Sequence, residues 1–409
     1  CKTPDGKNGE CRSISECPSI TTIARTASKT HENLTSSICF FDGTNIKVCC
    51  PTNTEQPPSL ANPCFTPEGN QGRCISVFEC EHIAKRLQSP TDEDRAYVRN
   101  IRQTRGYKVC CGPPPESLPA TSMCVPSAAP LTPECCGVDA TGGAYKIMGG
   151  TATAIDQYPW LAVIEYKKND DINLMCGGVL ISGRYVLTAC HCVKGVVLRA
   201  GTPTNVRLGE YDMLNHGRDC VPVAGGDPGD ADCTDLPVSI PIERIIPHPD
   251  YNSQQTANDI AMLRLSKLAP YTDFIRPICL PTRDVTTNMP STARLIAAGW
   301  GANGTHPSAN VKQHVKLPYI AIETCQSAYN VPGRSVTIHT SQICAGGETG
   351  KDSCKGDSGG LLMYSADGAT FELVGIVNFG SDPCGLENVP GVYAKVYNYI
   401  DWIKSNMRP

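Results

Sequence analysis

The cysteines constrain this chain more than any other residue type. There are 24 in 409 residues, with no paired CxxC sets and only 8 histidines to support zinc. Most stand at spacings that suit bridges, so the chain is expected to be made in an oxidising compartment. Within the first 111 residues the spacing repeats: Cys1 to Cys50 reads C-x9-C-x5-C-x21-C-x9-C-C, and Cys64 to Cys111 again reads C-x9-C-x5-C and ends in C-C. Short phrases repeat with it, Cys11-Arg12-Ser13-Ile14 against Arg73-Cys74-Ile75-Ser76, and Lys47-Val48-Cys49-Cys50 against Lys108-Val109-Cys110-Cys111. A unit this small buries too little apolar surface to fold reliably alone. Bridges of roughly 2–4 kcal/mol each must help to hold it.

The whole chain is too long for one core, and its texture divides it. Residues 1–50 and 64–111 are the two stapled modules, and 51–63 and 112–146 are linkers rich in Pro, Ser and Thr. From 147 to 409 short Val/Ile/Leu-rich runs such as Val179 to Ala189, Ile260 to Leu265 and Leu373 to Phe379 are broken by Gly, Pro and Asn, the pattern of an all-β barrel or sandwich. At the end, Val396, Ile400, Ile403 and Met407 recur at helical spacing with Trp402 nearby, so a terminal helix is expected to dock there. A net charge of -4 supplies no global basic field for nucleic acid. No apolar run is long enough to span a membrane, and the start at Cys1 with no apolar leader is read as a mature secreted product. Sequons at Asn33 and Asn303 suit that route.

Three short contexts carry chemistry. Leu187-Thr188-Ala189-Cys190-His191-Cys192 places a histidine after a β-rich run, Asn258-Asp259-Ile260-Ala261 places an aspartate before another, and Gly356-Asp357-Ser358-Gly359-Gly360 places a serine in a glycine-flanked turn. These motifs, in the order His, Asp, Ser, resemble those of the chymotrypsin-fold serine proteases, whose triad is a standard worked example of acyl transfer. The resemblance covers Ile147 to Pro409 and implies a mostly β, double-barrel fold. It casts Ser358 as nucleophile, His191 as general base and acid, and Asp259 as the group that sets the imidazole tautomer. The amides of Gly356 and Ser358 would form the oxyanion hole.

By the same resemblance Asp352 marks the floor of the pocket for the residue before the cut, with Gly380 and Gly391 as its walls, which selects Arg or Lys. Asn378-Phe379 stands where the family usually has Ser-Trp, and the usual Ser contacts the catalytic Asp. Lys146-Ile147-Met148-Gly149-Gly150 resembles a zymogen activation site: cutting after Lys146 frees the amine of Ile147 to pair with Asp357. Implied bridges are Cys176–Cys192, Cys325–Cys344, Cys354–Cys384 and Cys136–Cys279, the last tethering the cleaved N-terminal part. Cys220 and Cys233 pair within a loop that binds Ca2+ in some relatives, with Glu210, Asp212, Asp227, Asp230, Asp232 and Asp235 as oxygen donors. The chemistry itself needs no cofactor.

The N-terminal repeats resemble the clip domains of arthropod proteases, which implies Cys1–Cys49, Cys11–Cys39 and Cys17–Cys50 in the first, and Cys64–Cys110 and Cys80–Cys111 in the second. No cysteine lies between Cys80 and Cys110, so Cys74 lacks its partner, which should fall within Arg99 to Arg105. Cys124, Cys135 and Cys190 are left over, and a bridge from Cys190 to Cys135 is one way to use two of them. Two clips before a complete Arg/Lys-directed protease resemble the insect prophenoloxidase-activating proteinases. That implies a zymogen of a haemolymph immune cascade that cuts prophenoloxidase to start melanisation, with an upstream activating protease, clip-bearing protease-like cofactors and serpin inhibitors as partners. Two alternatives stay open: a clip protease that processes a Toll-pathway cytokine precursor, and a non-catalytic clip-bearing adaptor. A binding role centred on the N-terminal half is a third.

Overall fold

A computed structural model describes residues 9–13, 38–42, 45–51, 63–66, 71–77, 79–86, 108–113, 124–129, 131, 135–139, 151–222, 231–290, 292–302, 309–331, 334–354 and 356–408. The activation site Lys146-Ile147, the sequons at Asn33 and Asn303, Asp227, Asp230, and the bridges Cys1–Cys49 and Cys17–Cys50 lie outside the described residues. The chain divides into two units, the first holding Cys1–Ser89 and Lys108–Pro115 and the second holding Glu116–Pro409.

In the first unit each cysteine repeat is built on a small antiparallel sheet. Strands β1 (Gly9–Ser13), β2 (Ile38–Asp42) and β3 (Asn45–Pro51) pair in the order β1-β3-β2, and Cys11 bonds Cys39. Strands β4 (Pro63–Phe65), β5 (Gln71–Ser76) and β6 (Lys108–Cys111) pair in sequence order beside helix α1 (Glu81–Arg86). Cys64–Cys110 and Cys80–Cys111 staple this second sheet over Val77, Ile83 and Val109, its buried side chains. With so few apolar groups inside among the described residues, the bridges carry much of the stability. Cys74 sits on β5 opposite Cys110 as a free, half-buried thiol.

The second unit is mostly two six-stranded barrels. The first is closed in the order β10-β15-β14-β11-β8-β9 by β8 (Leu161–Lys168), β9 (Asp171–Ser182), β10 (Tyr185–Thr188), β11 (Thr202–Leu208), β14 (Val238–Pro247) and β15 (Ala261–Leu265). The intervening strands β12 (Cys220–Pro222) and β13 (Ala231–Cys233) form a separate pair joined by Cys220–Cys233. The second barrel runs β16-β21-β22-β23-β20-β17 and closes by pairing β16 (Arg294–Gly299) with β17 (Gln313–Ile320). Its other strands are β20 (Gln342–Gly346), β21 (Leu361–Tyr364), β22 (Glu372–Phe379) and β23 (Pro390–Lys395), and β7 (Thr151–Ala152) adds to β17 outside the closure. Between β17 and β20 lie helix α2 (Ile322–Tyr329) and the hairpin of β18 (Asn330–Val331) and β19 (Arg334–Ser335). Closure leaves neither sheet with a free edge to template aggregation.

The apolar runs read from the sequence are the strands that fill these barrels. Val179, Leu180, Val186, Leu187, Leu263 and Leu265 are fully buried in one continuous core. Each such side chain stabilises the fold by about 1.5–3 kcal/mol. The chain ends in a 3-10 turn, Val396–Tyr399, that leads into α3 (Ile400–Asn406). Val396, Ile403 and Met407 seat this end on the core, and Tyr185 Oη accepts a 2.7 Å hydrogen bond from the Arg408 amide.

The 112–146 linker is structured in part. Its segment 124–139 packs within the second unit, where Cys136 bonds Cys279 and Cys124 bonds Cys135. The second of these bridges corrects the pairing of Cys135 with Cys190. Cys124 lies eleven residues from Cys135, a short loop that closes readily, whereas Cys190 is a free thiol enclosed by the first barrel. Burial pushes that thiol up to about 12, so it is protonated and inert.

Candidate active site

The histidine turn follows directly from β10. Cys190–Cys192 forms one 3-10 turn, pinned by the Cys176–Cys192 bridge and by Tyr166, whose hydroxyl donates to the Cys192 carbonyl at 2.7 Å. Asp259 enters from the other side, just before β15. Asn258 adopts a positive φ of 54°, which asparagine tolerates better than most residues, and its side chain is held by Tyr399 and by the Asp250 carbonyl. That bend points the buried Asp259 carboxylate at the histidine. One oxygen accepts the His191 amide at 2.8 Å, and the other accepts Nδ1 at 2.7 Å. A carboxylate only accepts, so the Nδ1 proton stays on the ring and Nε2 keeps its lone pair facing outward.

Ser358 lies on a turn whose glycines are sterically required. Gly356 and Gly359 have φ of 101° and 73°, and a Cβ on Gly359 would overlap Thr188 Oγ1. The turn is pressed against β9 and β10: Gly177 donates to the Ser358 carbonyl at 2.9 Å, and Gly359 donates to Val377 at 3.1 Å. Asp357 and Gly360 also spend their amides on carbonyls. Among the described residues the amides of Gly356 and Ser358 have no carbonyl partner, so this turn holds two unspent donors of the kind that can stabilise an oxyanion. Ser358 Oγ makes no hydrogen bond to His191 in this structure. Such contacts commonly tighten only around bound substrate.

The sequence placed Asp352 and Asp357 near this turn, and the structure gives them different surroundings. Asp357 turns inward, accepting Gly301 N at 2.8 Å and Cys354 N at 2.9 Å, and a Cβ on Gly299 or Gly301 would overlap its carboxyl. Burial pushes it up to about 6. Asp352 accepts Ser353 N at 2.9 Å and Gly385 N at 3.2 Å, and it faces the backbone of Gly346, Gly380 and Gly391. A Cβ on Gly391 would stand 3.0 Å from its oxygen, so backbone without side chains faces this carboxylate. Burial, aided by the Asp357 charge, pushes Asp352 up to about 6 as well.

Asn378 does not take up a contact to the catalytic aspartate. It is 7 % exposed, and neither its amide nitrogen nor its oxygen has a hydrogen-bond partner among the described residues. Phe379 packs edge-on against Tyr329 with ring centroids 5.6 Å apart. Gly177, Gly299 and Gly301 were not singled out from the sequence. Their cue was a glycine within or at the end of a β-rich run, a mark of close backbone approach.

The calcium expectation does not fit the described residues. Glu210 is buried and turned to Arg207, 3.2 Å away, which also holds Glu165 at 2.7 Å. Asp212 caps its own turn, accepting the Leu214 amide at 3.1 Å. Among the described residues, Glu210, Asp212, Asp232 and Asp235 do not converge on a point that one ion could share. The two convergent clusters, Cys80-His82-Cys111 and Cys176-His191-Cys192, offer bridged sulfurs that are poor ligands.

Two β-barrels with a carboxylate-bound histidine beside a glycine-flanked serine define the chymotrypsin-like class of serine hydrolases. The family described as Trypsin matches residues 147–227 and 230–403, and the regulatory CLIP domain of proteinases matches residues 1–50 and 64–111. The chain therefore belongs to the trypsin family of serine proteases, in the branch that carries regulatory CLIP domains. It is 43% identical over 436 residues to the phenoloxidase-activating enzyme of Bombyx mori, covering 100% of this chain and 95% of that protein. Phenoloxidase-activating factor 1 of Holotrichia diomphalia is 38% identical, covering 85% of this chain and 93% of that protein. Among solved structures, the Drosophila Grass clip serine protease of the Toll pathway aligns with a TM-score of 0.56 at 27% identity, covering 85% of this chain and 98% of that one.

Proposed function

We propose that this serine protease is a secreted zymogen, activated by cleavage between Lys146 and Ile147, that then cuts prophenoloxidase after Arg or Lys. The observation that carries the reading is the pairing of His191 with the buried Asp259; on this reading Asp352, which faces the bare backbone of Gly380 and Gly391, is the floor of the substrate pocket. Ser358 Oγ adds to the scissile carbonyl carbon while its proton passes to His191 Nε2. The oxyanion takes the Gly356 and Ser358 amides, worth about 3–4 kcal/mol for each donor. The proton then moves to the departing amine, and a water repeats the sequence on the acyl-enzyme. Asp259 holds the imidazolium in place.

Activation would bring the new Ile147 amine to Asp357, a half-buried residue whose carboxyl accepts two backbone amides and no side-chain cation among the described residues. The names of the Bombyx and Holotrichia relatives support phenoloxidase activation as the outcome. Upstream protease, clip-bearing cofactors and serpins follow from the same reading. The Grass likeness favours a second one, processing of a Toll-pathway precursor, at lower identity.

The test is amidase activity on an Arg-terminated chromogenic peptide before and after a trace of Lys-cutting protease, with N-terminal sequencing of the product. Activity is expected to appear together with an Ile147 terminus, and the cleaved enzyme is expected to process purified prophenoloxidase. An Ile147 terminus without activity would favour the adaptor reading, and activity that spares prophenoloxidase would favour the Toll one.

A pH dependence follows from Asp352. A cation binds its ionised form, so protons compete with ligand below about 6. Benzamidine affinity for the cleaved enzyme is expected to be level from pH 7 to 8, and below pH 6 to fall by about tenfold per unit. Equilibrium titration keeps the proton transfers of turnover out of the readout. An affinity that does not change between pH 4.5 and 8 would remove Asp352 from the contact.

A further inference from the structure

The geometry points to a second, noncovalent anchor between the N-terminal part of this chain and its catalytic barrels: the segment 124–139 binds as a strap that holds without the Cys136–Cys279 bridge. Its consequence for the active enzyme rests on the activation reading, because only a cut at Lys146 makes these two parts separate chains.

The strap has two points of attachment. At the first, Gly183, in the turn between β9 and β10, donates to the Ser127 carbonyl at 2.7 Å, and Ala128 is buried in the first barrel's core. A Cβ on Gly183 would stand 3.0 Å from the Ser127 backbone, so a side chain there would press on the strap and the bare glycine lets it lie flat. At the second, Gly137 donates to the Pro277 carbonyl at 2.9 Å, and its own carbonyl accepts the Phe371 amide at 2.8 Å. Gly137 has a φ of 69°, and any Cβ there would overlap the Phe371 carbonyl oxygen.

These contacts satisfy groups that otherwise belong to the barrels. Phe371 is a core residue, packed with its ring 5.7 Å from Tyr158 and 5.6 Å from Trp160, and its amide would lose its partner if the strap left. Just beyond Gly137, Asp139 is buried and acts electrostatically on the buried Lys312 just before β17. The Cys124–Cys135 bridge lies wholly within the strap and joins its two attachment regions, so neither has to be ordered from a free chain. The bridge to Cys279 then adds effective concentration to a contact that already exists. The catalytic unit therefore begins near Cys124, and the CLIP modules are not shed when the interchain bridge is reduced.

The test uses the full chain with a specific protease site inserted between Gly142 and Gly143, so that the nick does not depend on Lys146. With Cys136→Ser and Cys279→Ser together, the nicked fragments are expected to co-elute on a sizing column at micromolar concentration, and addition of Gly137→Val is expected to release them. Separation of the fragments with Gly137 intact overturns the proposal. Should the double variant fail to fold, hydrogen exchange on the nicked wild-type chain decides. The amides of Gly137, Gly183 and Phe371 are expected to exchange at least 100-fold more slowly than unstructured amides, and exchange at the unstructured rate would show a covalent leash and nothing more.

Discussion

Replacing Ser358 by alanine in the cleaved chain is expected to lower kcat on an Arg-terminated anilide by roughly five to six orders of magnitude, while benzamidine binds as before. Alanine keeps the Ser358 amide and its 2.9 Å carbonyl contact with Gly177, so the turn and its oxyanion donors persist without the nucleophile. A residual rate of about 10³ over water is expected from those donors and from binding alone. His191→Ala should cost about as much, and the double variant little more, because the two act as one unit in proton transfer. Active-site titration and initial rates on each variant, with thermal melting to verify folding, make the check. Retention of more than one part in a hundred of the activity would remove Ser358 from the role. The same variant bears on the adaptor reading: if Ser358→Ala still supported prophenoloxidase activation in a reconstituted mixture, catalysis by this chain would not be what that pathway uses.

The site was legible because its parts are local. A histidine three residues past β10, an aspartate at the entry to β15 and a serine between required glycines are each set by a few neighbouring residues. The barrels then bring these three turns together. What the sequence hid depended on distant partners or on side-chain direction. Residues 124–139 read as linker because Pro and Ser dominate their surroundings, yet Gly137 and Ser127 find partners at Pro277, Phe371 and Gly183. Composition says nothing of such contacts. The acidic loop is another place where direction was hidden: Arg207, on β11 just before Glu210, pairs with the Glu210 carboxylate, while Asp227 and Asp230 lie outside the described residues. Cys190 looked available for pairing because it was left over once the implied bridges were assigned. In a tight turn, however, neighbours two apart point different ways, and its sulfur is buried near His248 and Asp259 instead. The terminal helix was visible in its apolar spacing, although its first turn is 3-10, a boundary detail that periodicity does not resolve.

Asp352→Ser is expected to reverse the preference of the pocket rather than to destroy the enzyme. In the wild-type site the carboxylate is already held by Ser353 N and Gly385 N and faces walls without side chains at Gly380 and Gly391. An entering guanidinium or ammonium leaves water and needs that charge, and truncating one member of a buried charge pair typically costs about 3–5 kcal/mol. At about 1.4 kcal/mol per decade, kcat/KM on Arg and Lys substrates should fall between about 10²- and 10⁴-fold. Substrates with leucine or phenylalanine before the cut should change little or improve, since the variant no longer offers an uncompensated carboxylate to an apolar side chain. The Cys354–Cys384 bridge and the Ser353–Tyr393 hydrogen bond at 3.0 Å do not involve the carboxylate, so the pocket should keep its shape. Rates on a matched series of peptides differing only at that residue separate the outcomes. Equal loss on every substrate would mean that the walls collapse without Asp352, and an unchanged Arg preference would mean that another group receives the cation. A crossover from basic to apolar substrates is the result that ties specificity to this one carboxylate.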